Sequence, residues 1–140
     1  MLNKIIYIWG YGNTTPSVFR ELINEWVNRL GVTHLIDVRK NPRGWASCYH
    51  KSSLQKITEL KYIHIEELGN PDKSTLDKYS EYMKTENFKQ GMNKLLRIFT
   101  NNMTGNIIIF CSEKDYHRCH RQFIAKILSS DPYNFNVKYI

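Results

Sequence analysis

The chain has 140 residues with 24% charged side chains, three cysteines and a formal net charge of +7. This length buries roughly two thirds of the unfolded surface in one core without staples, so a single domain over residues 1–140 is expected, and the odd cysteine count argues for a reducing, cytoplasmic setting over a disulfide framework. Ile5 to Trp9 is too short for a signal-peptide core and no apolar run approaches a membrane span, so no membrane partner is expected, whereas the basic balance suits phosphate-bearing small molecules or nucleic acid.

In chain order, Lys4 to Trp9 reads as a buried strand ending at Gly10. Gly10-Tyr-Gly-Asn-Thr-Thr-Pro16 follows as a strand-to-helix turn, with Thr14 or Thr15 as N-cap and Pro16 preset for the first helical position. Val18, Phe19, Leu22, Ile23, Trp26, Val27 and Leu30 repeat at helical spacing, and Gly31 closes the helix. The glycines lack the third glycine of a dinucleotide fingerprint, so Gly10 and Asn13 are expected to line an anion-binding site, where backbone can approach a phosphate, rather than to bind a nicotinamide cofactor.

Thr33 to Arg39 is the second predicted strand, and its alternation places Asp37 and Arg39 on one side, able to pair or to share a ligand. Asn41 to Ser53 reads as an ordered loop in which Arg43, Trp45, Tyr49, His50 and Lys51 interleave, a pattern that suits base stacking beside a phosphate or packing back onto the core. Ser52 or Ser53 is expected to cap a helix through Leu60. Tyr62 to Glu66 is a third strand closed by a Gly-Asn-Pro turn, with His64 a structural or surface residue. Asp72 to Asn102 reads as two helices, the first capped by Ser74 or Thr75, the second presenting Phe88, Met92, Leu95, Leu96 and Phe99. Ile107 to Phe110 is a doubly buried strand, a helix carries Phe123, Ile124, Ile127 and Leu128, and Asn136 to Ile140 is an edge strand.

This order predicts an α/β fold: a single-domain, three-layer, Rossmann-like sandwich with a mainly parallel sheet of about five strands and helices on both faces. Ligands of such sheets bind at the C-terminal ends of the strands. The polar segments Gly10 to Asn13, Asp37 to Arg43, Glu67 to Asn70 and Cys111 to Arg121 all follow strands, so one edge should gather them.

The last of these segments carries most of the chemistry. Basic residues His117, Arg118, His120 and Arg121 crowd a predicted helix start, where the helix dipole disfavours cations by up to roughly 1 kcal/mol. An anion held by backbone N–H groups with Arg118 or Arg121 explains that placement, as does neutralisation by Glu113 and Asp115. Cys111 at the strand end faces the same region and is a candidate nucleophile. Glu113 or Asp37 is the candidate general acid or base, His120 the proton shuttle, and Arg39 and Arg121 the anion clamp. Cys119 also fits a small buried hydrophobe. Cys111, Cys119 and His120, with Glu113 or His117 as a fourth ligand, would make a zinc set, but the spacing lacks the usual close pair, so neither metal nor cofactor is assigned.

Gly-Tyr-Gly-Asn-Thr-Thr-Pro with Phe19, Leu35-Ile-Asp-Val-Arg39 followed by Asn41-Pro42, Tyr62 to Gly69, and above all Cys111-x-Glu113 followed by Cys119-His-Arg121 together resemble domain-of-unknown-function family 488. The resemblance implies a compact α/β domain and marks Asp37, Arg39, Cys111, Glu113, Cys119, His120 and Arg121 as recurring polar positions; it implies no activity. The strand-Cys-loop-helix layout is also similar to rhodanese and tyrosine-phosphatase loops, but the Cys111 to Arg118 stretch is longer than theirs and has no glycine. The expected function is therefore an enzyme acting on a phosphate-bearing substrate, such as a nucleotide or nucleic acid. The alternatives are a non-catalytic nucleotide or nucleic-acid binder and a zinc-binding domain. Nothing in the sequence specifies an oligomeric state.

Overall fold

In the computed structural model, which describes residues 3–71 and 76–140, five strands form one sheet in the order β3-β2-β4-β1-β5, every pair parallel. The strands are β1 (Ile5–Gly10), β2 (Val32–Asp37), β3 (Lys61–His64), β4 (Asn106–Cys111) and β5 (Asn136–Tyr139). The helices are α1 (Pro16–Arg29), α2 (Lys51–Leu54), α3 (Leu76–Tyr82), α4 (Glu86–Thr100) and α5 (Arg121–Ser129). The α/β sandwich expected from the sequence is what the chain forms, and β4, the apolar run before Cys111, lies at its centre.

Side-chain alternation along each central strand divides the core. Tyr7, Trp9, Leu35, Ile108 and Phe110 pack with Phe19, Ile23 and Trp26 of α1 and with Leu54 of α2. Ile6, Ile8, Ile36, Ile107 and Ile109 pack with Tyr79 of α3, Phe88 to Phe99 of α4, and Ile124 and Leu128 of α5. The connections after β1 and β2 therefore cross one face and those after β3 and β4 the other, as right-handed crossovers require. β2 and β4 are neighbours whose outgoing loops leave to opposite faces, and this topological switch opens a crevice at their C-terminal ends.

Local signals behave as the sequence suggests at α1. Thr15 caps it, its hydroxyl accepting from Val18 N, Pro16 is its first residue, and Gly31 takes the left-handed backbone (φ 63°) that ends it. Val18 differs from expectation and is exposed, because the buried stripe runs through Phe19, Ile23 and Trp26. The expected helix to Leu60 is shorter: a 3-10 turn over Ser47–Tyr49 leads into α2, whose N-cap is His50 without a side-chain bond. The proposed caps Ser74 and Thr75 lie outside the described residues. α4 is capped by Thr85, whose hydroxyl accepts from Phe88 N. Among the described residues, no helix is long and apolar enough to cross a membrane.

Candidate functional site

The C-terminal edge is assembled by continuing the sheet pairing into its loops. Tyr11 N donates to Cys111 O, Gly12 N to Ser112 O at 2.8 Å, and Val38 N to Phe110 O, so the ends of β1, β2 and β4 are laced together. Gly10 is required here: a Cβ at this position would stand 1.9 Å from the Glu113 carbonyl oxygen. Gly69 serves the loop after β3 in the same way, since a Cβ there would meet the Lys40 Cα at 2.4 Å.

Between the loops after β2, β3 and β4 lies a pocket of about 280 Å³. Cys111, Cys119 and His120 line it, and all three are at least nine-tenths buried. Lys40, Arg43 and Arg118 also line it, with Asn41, Asn70, Ser112 and Glu113. Lys40 pairs with Glu66 at 3.1 Å. Arg43 and Arg118 are exposed and have no carboxylate partner among the described residues. The local field is thus cationic above a thiol-and-imidazole floor.

His120 is held by two elements. It precedes α5 in the chain, while its Nε2 lies 2.7 Å from the Val38 carbonyl oxygen at the end of β2. A carbonyl only accepts, so Nε2 carries the hydrogen and Nδ1 faces the sulfurs. Cys119 Sγ is 3.6 Å from that nitrogen and Cys111 Sγ 4.0 Å. The Cys111 thiol holds the Cys119 thiol below its usual value, with His120 and Arg121 adding to the effect; the Cys119 thiol in turn, with burial, pushes Cys111 up. The ring of Tyr79, 4.9 Å between centroids, closes the far side of the imidazole.

The Asp37–Arg39 pair sits on the other face of the sheet edge. Asp37 Oδ1 accepts from Arg39 N and Nε, and Oδ2 accepts from Arg39 Nη2 at 2.7 Å and from the Tyr62 hydroxyl at 2.5 Å. Burial opposes the Arg39 charge, but Asp37 outweighs it and holds the guanidinium above its ordinary pKa; burial and Asp37 likewise raise Tyr62. Arg39 Nη1 reaches the Arg43 carbonyl at 2.8 Å, and the guanidinium lies over the Phe110 ring, 5.1 Å from its centroid. With both carboxylate oxygens occupied, Asp37 positions Arg39, which in turn fixes the backbone of the Arg43 loop at the rim of the pocket.

The sequence-selected residues separate accordingly. Cys111, Glu113, Arg118, His120 and Arg39 meet at the pocket. Glu113 is exposed there, with Oε1 accepting from Asp115 N. Gly10 serves close packing, and Asn13 is exposed outside the pocket lining. Arg121 is 2% exposed beneath the Cys111–Arg118 loop, where Nη2 donates to the Lys114 carbonyl at 3.1 Å. The basic cluster is split between two elements: His117 and Arg118 occupy a 3-10 turn capped by Asp115, while His120 is the N-cap of α5 and Arg121 its first residue. Lys40, Asn41 and Asn70 were not singled out by chemistry; their signal is positional, since each follows a parallel strand at the binding edge.

In the aromatic loop, Tyr49 packs inward, stacked on Tyr11 at 4.0 Å with its hydroxyl donating to Thr14 O. Trp45 stays 59% exposed while its Nε1 donates to Gly12 O.

No curated protein and no solved structure matches the chain. The model of one family, described as domain of unknown function DUF488, matches residues 19–128, a span that contains every residue lining the pocket. The chain therefore belongs to the DUF488 family.

Proposed function

We propose that this protein is an enzyme acting on a phosphate-bearing substrate, a nucleotide or nucleic-acid end, in the pocket between the loops after β2, β3 and β4. The observation that carries this reading is the convergence of Arg43 and Arg118, free of carboxylate partners among the described residues, on a pocket floored by Cys111, Cys119 and His120. Guanidinium forks suit phosphate, and a floor of thiols and imidazole is more than anion retention needs. Arg39 and Lys40 support the rim, and Glu113 is the one carboxylate among the described residues that line the pocket. The expected test result is that phosphate and nucleotides raise the melting midpoint of the wild type. Arg43→Ala and Arg118→Ala should each weaken binding about 10- to 100-fold, the scale of one charge-assisted contact. Absence of any shift with phosphate, nucleotides or short nucleic acids at low salt would sink the reading.

A non-catalytic nucleotide or nucleic-acid binder is the second reading, favoured by the exposed Trp45 beside the loop that carries Arg43 and Lys51. Steeply salt-dependent binding without turnover of phosphate esters or nucleotides would select it.

A further inference from the structure

We propose that Cys111 Sγ, Cys119 Sγ and His120 Nδ1 form a three-ligand zinc site whose fourth coordination position opens into the pocket. The three donor atoms all lie within 4.8 Å of one another. Zinc bonded to sulfur at about 2.3 Å and to nitrogen at about 2.0–2.1 Å in tetrahedral geometry sets S···N near 3.5 Å and S···S near 3.8 Å. The observed S···N separations are 3.6 and 4.0 Å. Both S···N separations thus lie within about half an ångström of the zinc geometry, and the Sγ···Sγ separation exceeds its target by no more than about 1 Å.

Three further observations support a metal over a thiol pair alone. Nε2 of His120 is committed to the Val38 carbonyl at 2.7 Å, which orients the ring and leaves Nδ1 as the donor toward the sulfurs, the outer contact that metal-bound histidines make. Two sulfurs and one imidazole nitrogen select zinc over magnesium or calcium, which take oxygen ligands. The ligands also come from separate supports, Cys111 from the end of β4 and Cys119 with His120 from the lead-in to α5, so the site is preset by the fold.

The fourth position distinguishes this site from a purely structural one. Among the described residues no further His, Cys, Asp or Glu joins the group, and the ligands themselves line the pocket. Three protein ligands with an open position is the arrangement of catalytic zinc, and that position takes a water or a substrate oxygen. Arg43 and Arg118 lie around the same opening. The site stands on donor geometry and does not require the anion reading.

The experiment uses the full-length reduced protein. Metal content is measured after purification without chelators, and chelator-stripped protein is then titrated with Co²⁺. About one metal per chain is expected, with thiolate-to-cobalt charge-transfer absorption and tetrahedral ligand-field bands. Cys119→Ser, Cys111→Ser and His120→Gln should each weaken Co²⁺ binding by more than about 10-fold. The Arg43→Ala/Arg118→Ala variant should keep the spectrum while losing phosphate. Folded wild type that takes up no Co²⁺ overturns the site without recourse to any variant. So does a cobalt spectrum that survives Cys111→Ser/Cys119→Ser, or a Cys111–Cys119 disulfide in protein purified under reducing conditions. Wild type that shows the cobalt spectrum but binds no phosphate upholds the zinc site and overturns only the anion pocket.

Discussion

Arg121 is the largest of the fully buried side chains, yet its Nε and Nη1 have no acceptor and only Nη2 donates, to Lys114. A buried cation with two nitrogens unpaired is costly, an expense the attraction to the Cys119 thiol offsets only in part, whereas its methylene stem packs usefully. Arg121→Met should therefore melt at or above the wild-type temperature, and Arg121→Ala should lose about 1–3 kcal/mol through lost packing. Thermal unfolding of both variants decides this. A large loss in the Met variant would mean that the charge is matched in the folded protein, which would return Arg121 to the anion clamp. Helical spacing separates Arg118 and Arg121 by face but cannot show that Arg118 ends a separate 3-10 turn while Arg121 starts α5, and that break decides which arginine reaches solvent. Cys119 illustrates the same point. It is buried in the apolar core as its neighbours at helical spacing suggest, and its Sγ also lies 3.6 Å from His120 Nδ1 because it precedes α5.

At the scale of elements, β2 holds a pH-sensitive junction remote from the pocket. Thr33 Oγ1 accepts from Gly105 N at 2.9 Å and shares a 2.8 Å hydrogen bond with His34 Nδ1, which ties the imidazole to the β2–β4 junction. Burial, then Lys61 and Lys4, lowers the His34 pKa below 6.5. In the window between the folded value and about 6.5 the unfolded chain binds more protons, so stability rises with pH. It is fully present above 6.5 and falls as the solution is acidified through that range. Melting temperature measured from pH 7 to pH 5 should decline, and His34→Gln should flatten that decline relative to wild type. Elements with complete local signals were legible in the sequence, α1 above all, with its cap, its first-position proline and its left-handed glycine. α2 was legible as a helix but not in its extent, because the packing of Tyr49 on Tyr11, a long-range contact, holds the chain just before that short segment.

For the whole molecule, alternation of strands and helices showed the class and the edge on which the polar loops gather, but not which strands are neighbours. That order decides the site. Because β4 enters between β2 and β1, the thiol-bearing loop after it lies against the loop carrying Arg43, and not at a margin of the sheet.

The same insertion governs when the protein can fold during synthesis. β1 and β2 are never hydrogen-bonded to each other; each pairs with β4, whose last residue is Cys111. Every earlier length of nascent chain consequently lacks the strand that joins its two halves, and must wait with the apolar faces of α1 and α4 uncovered. A fragment ending before Asn106 should show no cooperative melting transition, while one that retains β4 and α5 should regain it. The thiols and the imidazole of the pocket thus arrive with or just after the strand that makes a fold possible, so its earlier-made side, Arg39 to Arg43 and Asn70, is not held in a compact chain before they do.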